Sequence, residues 1–169
     1  LISQTIFAYP DTEKKFVDLN LASVSQAVID NERDLLFVVS SSTIKVVDLK
    51  TFALAGESQT LFDFDADEDL EGLIDSIALD FEGDRLFATQ DGGRVLVFDL
   101  DQLTEEPELF EVSVGDDLTR AVFNPNANKL FVLNQTDQAV NRVDPDDGTL
   151  EASFSYSSLG SFTLNDMLY

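Results

Sequence analysis

The chain has 169 residues, 44% of them hydrophobic, enough to bury a core as one domain or as a portion of a larger one. It carries 33 acidic against 10 basic residues, a formal net charge of -23, and such a surface repels nucleic-acid phosphates and anionic lipid headgroups, so no nucleic-acid partner is expected. With no cysteine and no histidine the chain excludes disulfides, thiolate nucleophiles, metal sites built on sulfur or imidazole, and a Ser-His-Asp triad; any catalysis would run on carboxylates, Tyr, Lys or Arg.

No apolar run reaches the roughly 20 residues of a membrane-spanning helix, so no membrane span is expected. The N-terminus lacks the basic-then-apolar layout of a signal peptide. A start at Leu1 rather than Met reads as a processed product or a portion of a longer protein. The acid excess resembles the surface of secreted proteins from saline habitats.

In chain order, LISQTIFAYPDTEKKFVDLNL (residues 1–21) reads as the second half of a four-strand unit. AVIDNERD from Ala27 is a strand closing in Asp30, and DLLFVVSSSTIKVVDL (Asp34 to Leu49) is a pair of alternating strands around a polar turn. After the acidic loop DFDADEDLEG (Asp63 to Gly72) the pattern returns as IALDFEGD from Ile77, RLFATQDGGRVLVFDL (Arg85 to Leu100) and LFEVSV (Leu109 to Val114). A third copy follows as AVFNPNAN from Ala121, NKLFVLNQTDQAVNRVDP (Asn128 to Pro145) and LEASFSY (Leu150 to Tyr156). FTLND from Phe162 and DMLY (Asp166 to Tyr169) open a further unit.

Phe37, Phe87 and Phe131 mark the register of this repeat, with the first interval longer because it holds the acidic loop. A period of 40 to 50 residues, each unit made of four antiparallel strands A to D, is the length of one blade of a β-propeller. The fold class is therefore all-β, with about four blades in a single domain: 22–63, 73–115, 119–156, and a composite of 161–169 with 1–21. The composite blade would hide sheet edges. A fragment of a larger propeller cut at the same phase would read identically, and the terminal strands could also pair between copies.

LFVLNQ, LFATQD and LFVVSS, each followed by an alternating run ending in Asp, resemble the YVTN-type repeat of lactonase-like and surface-layer-associated propellers, over nearly the whole chain. The resemblance implies the fold and leaves the chemistry open, since one propeller fold hosts many functions.

Asp30, Asp80, Asn124 and Asn165 close the A strands and can accept hydrogen bonds from their own backbone two residues on, which starts tight turns. Asp48, Asp99 and Asp144 sit where strand C turns into D and read as turn residues of the same kind. Arg142 stands where the pattern has Val46, Val97 and Ala8, so it pairs with a carboxylate, lies exposed at an edge, or is out of register.

In the acidic loop Asp63, Asp65, Asp67 and Glu71 follow the one, three, five, nine spacing of calcium loops, although Glu68 and Ile74 stand where a glycine and a twelfth-position acid would be expected. The alternative is a solvated acidic loop. The D-to-A and B-to-C loops of a propeller share one face, which gathers Gln26, Asp75, Gln90, Asp91, Arg120, Asn134, Gln135 and Asp137 into a candidate binding face.

No catalytic set emerges, and no cofactor beyond calcium is suggested. The reading is an extracellular or cell-surface binding or structural module of an envelope, adhesive or filamentous assembly, with a protein or glycan partner. The alternatives are a lactonase-like hydrolytic propeller using carboxylates and Arg120, and a calcium-dependent glycan or peptide binder.

Overall fold

The computed structural model describes residues 19–21, 23–51, 53–54, 62–63, 73–102, 108–111 and 117–157. They form three antiparallel sheets, each built by consecutive strands in chain order. The first holds β1 (Gln26–Asp30), β2 (Leu35–Ser40) and β3 (Thr43–Asp48), with two short strands, β4 (Ala53–Leu54) and β5 (Phe62–Asp63), both paired to β3 in the fourth place. The second holds β6 (Ile74–Asp80), β7 (Arg85–Gln90), β8 (Arg94–Asp99) and β9 (Glu108–Glu111). The third holds β10 (Leu118–Asn124), β11 (Lys129–Asn134), β12 (Ala139–Val143) and β13 (Leu150–Ser155). No α-helix occurs among the described residues. The composite blade of residues 161–169 and 1–21 lies outside them except at 19–21.

The registers repeat from sheet to sheet. Phe37 lies opposite Val28 and Val46, Phe87 opposite Ala78 and Val97, and Phe131 opposite Val122 and Arg142. Arg142 is thus in register, and its guanidinium is met by the Glu151 carboxylate at 3.0 Å.

Side chains alternate between the two faces of each sheet, and the inner strands of the first and second sheets are buried on both faces, with the sheets stacked face to face. Phe37, Val39, Ile44 and Val46 of the first sheet meet Ile77, Leu79, Leu86, Ala88, Leu96 and Phe98 of the second. The opposite face of the second, with Ala78, Phe87, Val95 and Val97, meets Ala121, Phe123, Leu130, Val132 and Val143 of the third. Phe87 and Phe123 stack with centroids 5.7 Å apart. Phe37 and Phe87 are fully buried, each contributing about 1.5–3 kcal/mol. On the far side of the first sheet, Leu19, Leu21 and Val24 cover Leu36, Val38 and Val47, and Lys45 Nζ donates to the Leu19 carbonyl at 2.6 Å.

The A-to-B turns are built by their first residue and closed by their last. Asp30 Oδ1 accepts from the backbone of Glu32 and Arg33, Asp80 Oδ1 from Gly83, and Asn124 Oδ1 from Ala127, reaching two and three residues on. The closing residues Asp34, Asp84 and Asn128 all take positive φ, between 47 and 55 degrees, a conformation that Asp and Asn tolerate better than most side chains. At the C-to-D turns Asp48 accepts from the backbone of Lys50 and Thr51, Asp99 from Asp101, and Asp144 from Asp146. These bonds hold all three carboxyls below the ordinary range, led by Thr51 N–H at Asp48, the Gln102 side chain at Asp99 and Lys129 at Asp144.

Guanidinium clamps tie neighbouring sheets together at this end. Arg33 bonds Asp30 of its own turn at 3.1 Å, then Asp84 and Asp101 of the second sheet. Arg85 bonds Asp80 at 2.8 Å, then the Pro145 carbonyl and Asp146 of the third. Burial works against the charge of Arg85, and Asp80 and Asp146 outweigh it, so its pKa is raised. Asp101 and Asp146 occupy the same place in the repeat, two residues after Asp99 and Asp144.

Candidate binding face

At the other end of the sheets the chain enters each A strand beside a B-to-C turn. Backbone bonds join the two: Asp91 N to Leu73 O at 3.1 Å in the second sheet, and Gln135 N to Asp117 O at 3.0 Å in the third. Ile74 N donates to Ser41 O at 2.9 Å, joining the second sheet to the first. The pairing of β6 with β7 skips Asp75, and that of β10 with β11 skips Thr119, so each is the extra residue of a bulge. A bulge bends the strand and re-aims the side chain it releases. Asp75 leaves the alternation for this reason and lies half-buried at the rim.

The residue opposite Val39, Thr89 or Leu133 stitches the inner strands together. Gln26 imitates a peptide group, its Nε2 donating to Ile77 O at 2.9 Å and its Oε1 accepting from Ile77 N at 2.7 Å. At the matching position of the second sheet, buried Ser76 accepts from Ala121 N through Oγ at 3.2 Å. At that of the third, Arg120 turns back and donates from Nη1 to Asp75 O at 3.2 Å. Among the expected face residues, Gln26 and Arg120 therefore also hold sheet to sheet.

Asn134 is fully buried, with Oδ1 accepting from Asp137 N at 2.9 Å and Nδ2 donating to Asp137 Oδ2 at 3.2 Å, so it shapes the β11–β12 turn. Gln90 is fully buried too. The exposed polar groups are those of Asp91 and Asp137, with Asp75, Asp117, Arg120 and Gln135 partly accessible beside them. Asp117 and Ser76 were not among the residues expected from sequence; both flank bulges, which a period-two pattern does not reveal.

Electrostatically the centre of the face is Asp75. Burial first, then the neighbouring carboxylates Asp91 and Asp117, push its pKa up to about 6 against the opposing pull of Arg120. Among the described residues no group of three or more carboxylates is disposed to hold a metal ion. Of the acidic loop, Asp65, Asp67 and Glu71 lie outside the described residues, and only the backbone of Asp63 is placed, paired with Thr43. Among the described residues no helix is long and apolar enough to cross a membrane.

No protein-family model matches the chain, and no curated protein matches it either. Solved structures do. A chain of the nidogen/laminin complex superposes with a TM-score of 0.67 at 14% identity, covering 87% of this chain and 53% of that one. The hydrazine synthase of Kuenenia stuttgartiensis gives 0.64 at 17% identity, over 89% of this chain and 40% of that one. The WD40 repeats of RRP9 give 0.66 at 10% identity, over 79% and 38%. This chain thus spans about half or less of the length of these neighbours. At such identities the likeness concerns fold alone, and the fold is that of a β-propeller or a portion of one, built from antiparallel blades.

Proposed function

We propose that this chain is a non-enzymatic binding module of the cell surface or extracellular space, and that it docks a protein of basic character on the face around Asp75. The observation that carries this reading is the composition of that face. Asp75, Asp91, Asp117 and Asp137 are presented on bulges and turns braced by backbone bonds, with Arg120 the basic residue among them. A rigid acidic rim on a chain of charge -23 steers cationic partners and repels anionic ones. The nidogen/laminin neighbour is itself a propeller in a protein complex. The kinship with YVTN-type surface propellers and calcium binding by Asp63, Asp65, Asp67 and Glu71 belong to the same reading.

The test is binding of lysine- and arginine-rich peptides to the full chain and to two triple variants. Asp75→Asn, Asp91→Asn and Asp137→Asn should abolish salt-sensitive binding. Glu32→Gln, Glu82→Gln and Asp147→Asn, at the opposite end, should leave it. Equal loss in both variants would show nonspecific attraction and end the proposal. For location, protease shaving of intact cells should release the chain. For calcium, melting should rise more in calcium chloride than in sodium chloride of equal ionic strength, and Asp65→Asn with Asp67→Asn should remove the difference.

One observation favours a hydrolytic reading instead. A carboxyl whose pKa is pushed up to about 6 beside a second carboxyl is suited to general acid-base work. Hydrolysis of lactones by the full chain, lost in Asp75→Asn and in Asp91→Asn, would establish it.

A further inference from the structure

The chain holds two Asp-Gly pairs, Asp91–Gly92 in the β7–β8 turn and Asp147–Gly148 in the β12–β13 turn. In such a pair the glycine nitrogen has no side chain of its own residue to block its approach to the carboxyl carbon before it, and the glycine backbone is free to bring the two together. Whether they react depends on what else holds the two groups.

In the β12–β13 turn both are held. Gly148 is buried, and its N–H donates to Asp144 O at 3.0 Å. The Asp147 carboxylate accepts from Thr149 N at 2.8 Å. An amide bonded in this way must lose that bond before its nitrogen can move onto a carbon.

The β7–β8 turn leaves its amide open. Asp91 and Gly92 are both exposed, the Gly92 N–H makes no hydrogen bond among the described residues, and a Cβ built at Gly92 would meet nothing within 4 Å. Gly92 and Gly93 take φ of 84 and 76 degrees, a region that side chains disfavour, and the turns at the same place in the first and third sheets, Ser41–Ser42 and Gln135–Gln138, contain no glycine. Asp91 is anchored by its own N–H, bonded to Leu73 O at 3.1 Å, which fixes its entry to the turn and leaves the peptide bond that follows unheld. Its carboxyl lies against that of Asp75. Two carboxyls share a hydrogen bond only through a proton, which keeps an acid beside the oxygen that would leave.

We propose that Asp91 is a site of isoaspartate formation, where the folded chain modifies its own acidic face. The Gly92 nitrogen bonds to the side-chain carboxyl carbon of Asp91, and the hydroxyl of the protonated carboxyl leaves with the amide proton as water, giving a succinimide. Water then opens the ring: cleavage at the side-chain carbonyl restores aspartate, and cleavage at the main-chain carbonyl gives isoaspartate. One water is released and one consumed, and nothing is oxidised or reduced. The product runs the main chain through the side-chain carbons, so the turn gains a methylene and the former main-chain carboxylate becomes the side group. Net charge is unchanged, but the carboxylate beside Asp75 is displaced. This modification goes beyond the docking reading and does not rest on it.

The test is a peptide map of the full chain after ageing in near-neutral buffer, with isoaspartate located by mass spectrometry and confirmed by labelling with an isoaspartyl methyltransferase. In the folded chain isoaspartate should build up at Asp91 and stay absent at Asp147, whereas in guanidinium chloride, where the turns are lost, both should form it at similar rates. Asp91→Glu, whose longer side chain closes the ring poorly, should remove the first signal and leave the rest of the map unchanged. Accumulation at Asp147 equal to or above that at Asp91 in the folded chain would overturn the inference. A folded chain with no isoaspartate at Asp91, while the denatured chain forms it there, would overturn it as well.

Discussion

Single residues that depart from the repeat mark where this protein spends stability. Asn141 is fully buried on β12 and neither its Oδ1 nor its Nδ2 finds a hydrogen-bond partner, while the matching position of β8 is Leu96, fully buried in the core. An unmade hydrogen bond in a buried amide costs about 1–3 kcal/mol. Asn141→Leu should therefore raise the melting temperature, and Asn141→Ala should gain less because it leaves a void. A fall with Leu would mean that the site is too tight or the amide is bonded. Asp75 departs in another way. Its folded-state pKa of about 6 lies above the unfolded value, so the protonated form stabilises the fold below about pH 4, and that contribution disappears as pH rises through 6. Asp75→Asn, which cannot ionise, should be more stable than the native chain at pH 7.5 by about 1 kcal/mol after discounting for solvent screening. The difference should vanish at pH 4 in paired thermal melts.

At the scale of elements, the first two sheets solve one problem in two ways. Each needs a guanidinium on the turn aspartate that reaches the next sheet. The first supplies it from the turn, at Arg33, with Leu35 opening β2; the second supplies it from the strand, at Arg85, with Gly83 in the turn. A Cβ at Gly83 would collide with Asp80 Oδ2 and lie 3.0 Å from Arg85 Nε, so the glycine makes room for the clamp itself. Gly83→Ala should cost about 1–3 kcal/mol by forcing that pair apart. Gly83→Arg should be worse alone and recover when combined with Arg85→Leu, which transplants the first sheet's solution into the second. No recovery in chemical denaturation would mean that the two turns are not interchangeable. The third sheet uses neither device: Ala127 occupies the turn, and Lys129 bonds Asp144 and Glu151 within its own sheet.

For the whole molecule, charge opposes compaction. With 33 acidic and 10 basic residues, long-range repulsion acts on every sheet, and salt shortens its range from about 30 Å at 0.01 M to about 3 Å at 1 M. The clamps are short and partly buried, so they are screened less. The melting temperature should rise with sodium chloride between 0.01 and about 0.5 M; a fall would show that ion pairs such as Arg33 with Asp101 outweigh the general repulsion. The sheets themselves were legible in the sequence, because alternation at period two, the Phe37, Phe87 and Phe131 register and the turn chemistry of Asp and Asn all act between near neighbours along the chain. The sequence left Arg142 open between a carboxylate pair, an exposed edge and a slipped register; its place opposite Phe131 and its Glu151 partner, nine residues away on the adjoining strand, came from the structure. What tertiary structure alone decided lies between sheets. Arg33 reaches Asp101 across 68 positions, Gln26 grips the backbone of Ile77 across 51, and Asp75 gains its raised pKa from burial first and then from the neighbouring carboxylates Asp91 and Asp117. Local pattern sets which face a side chain takes, but field, burial and hydrogen bonding depend on distances in space, and those exist only once the sheets have stacked.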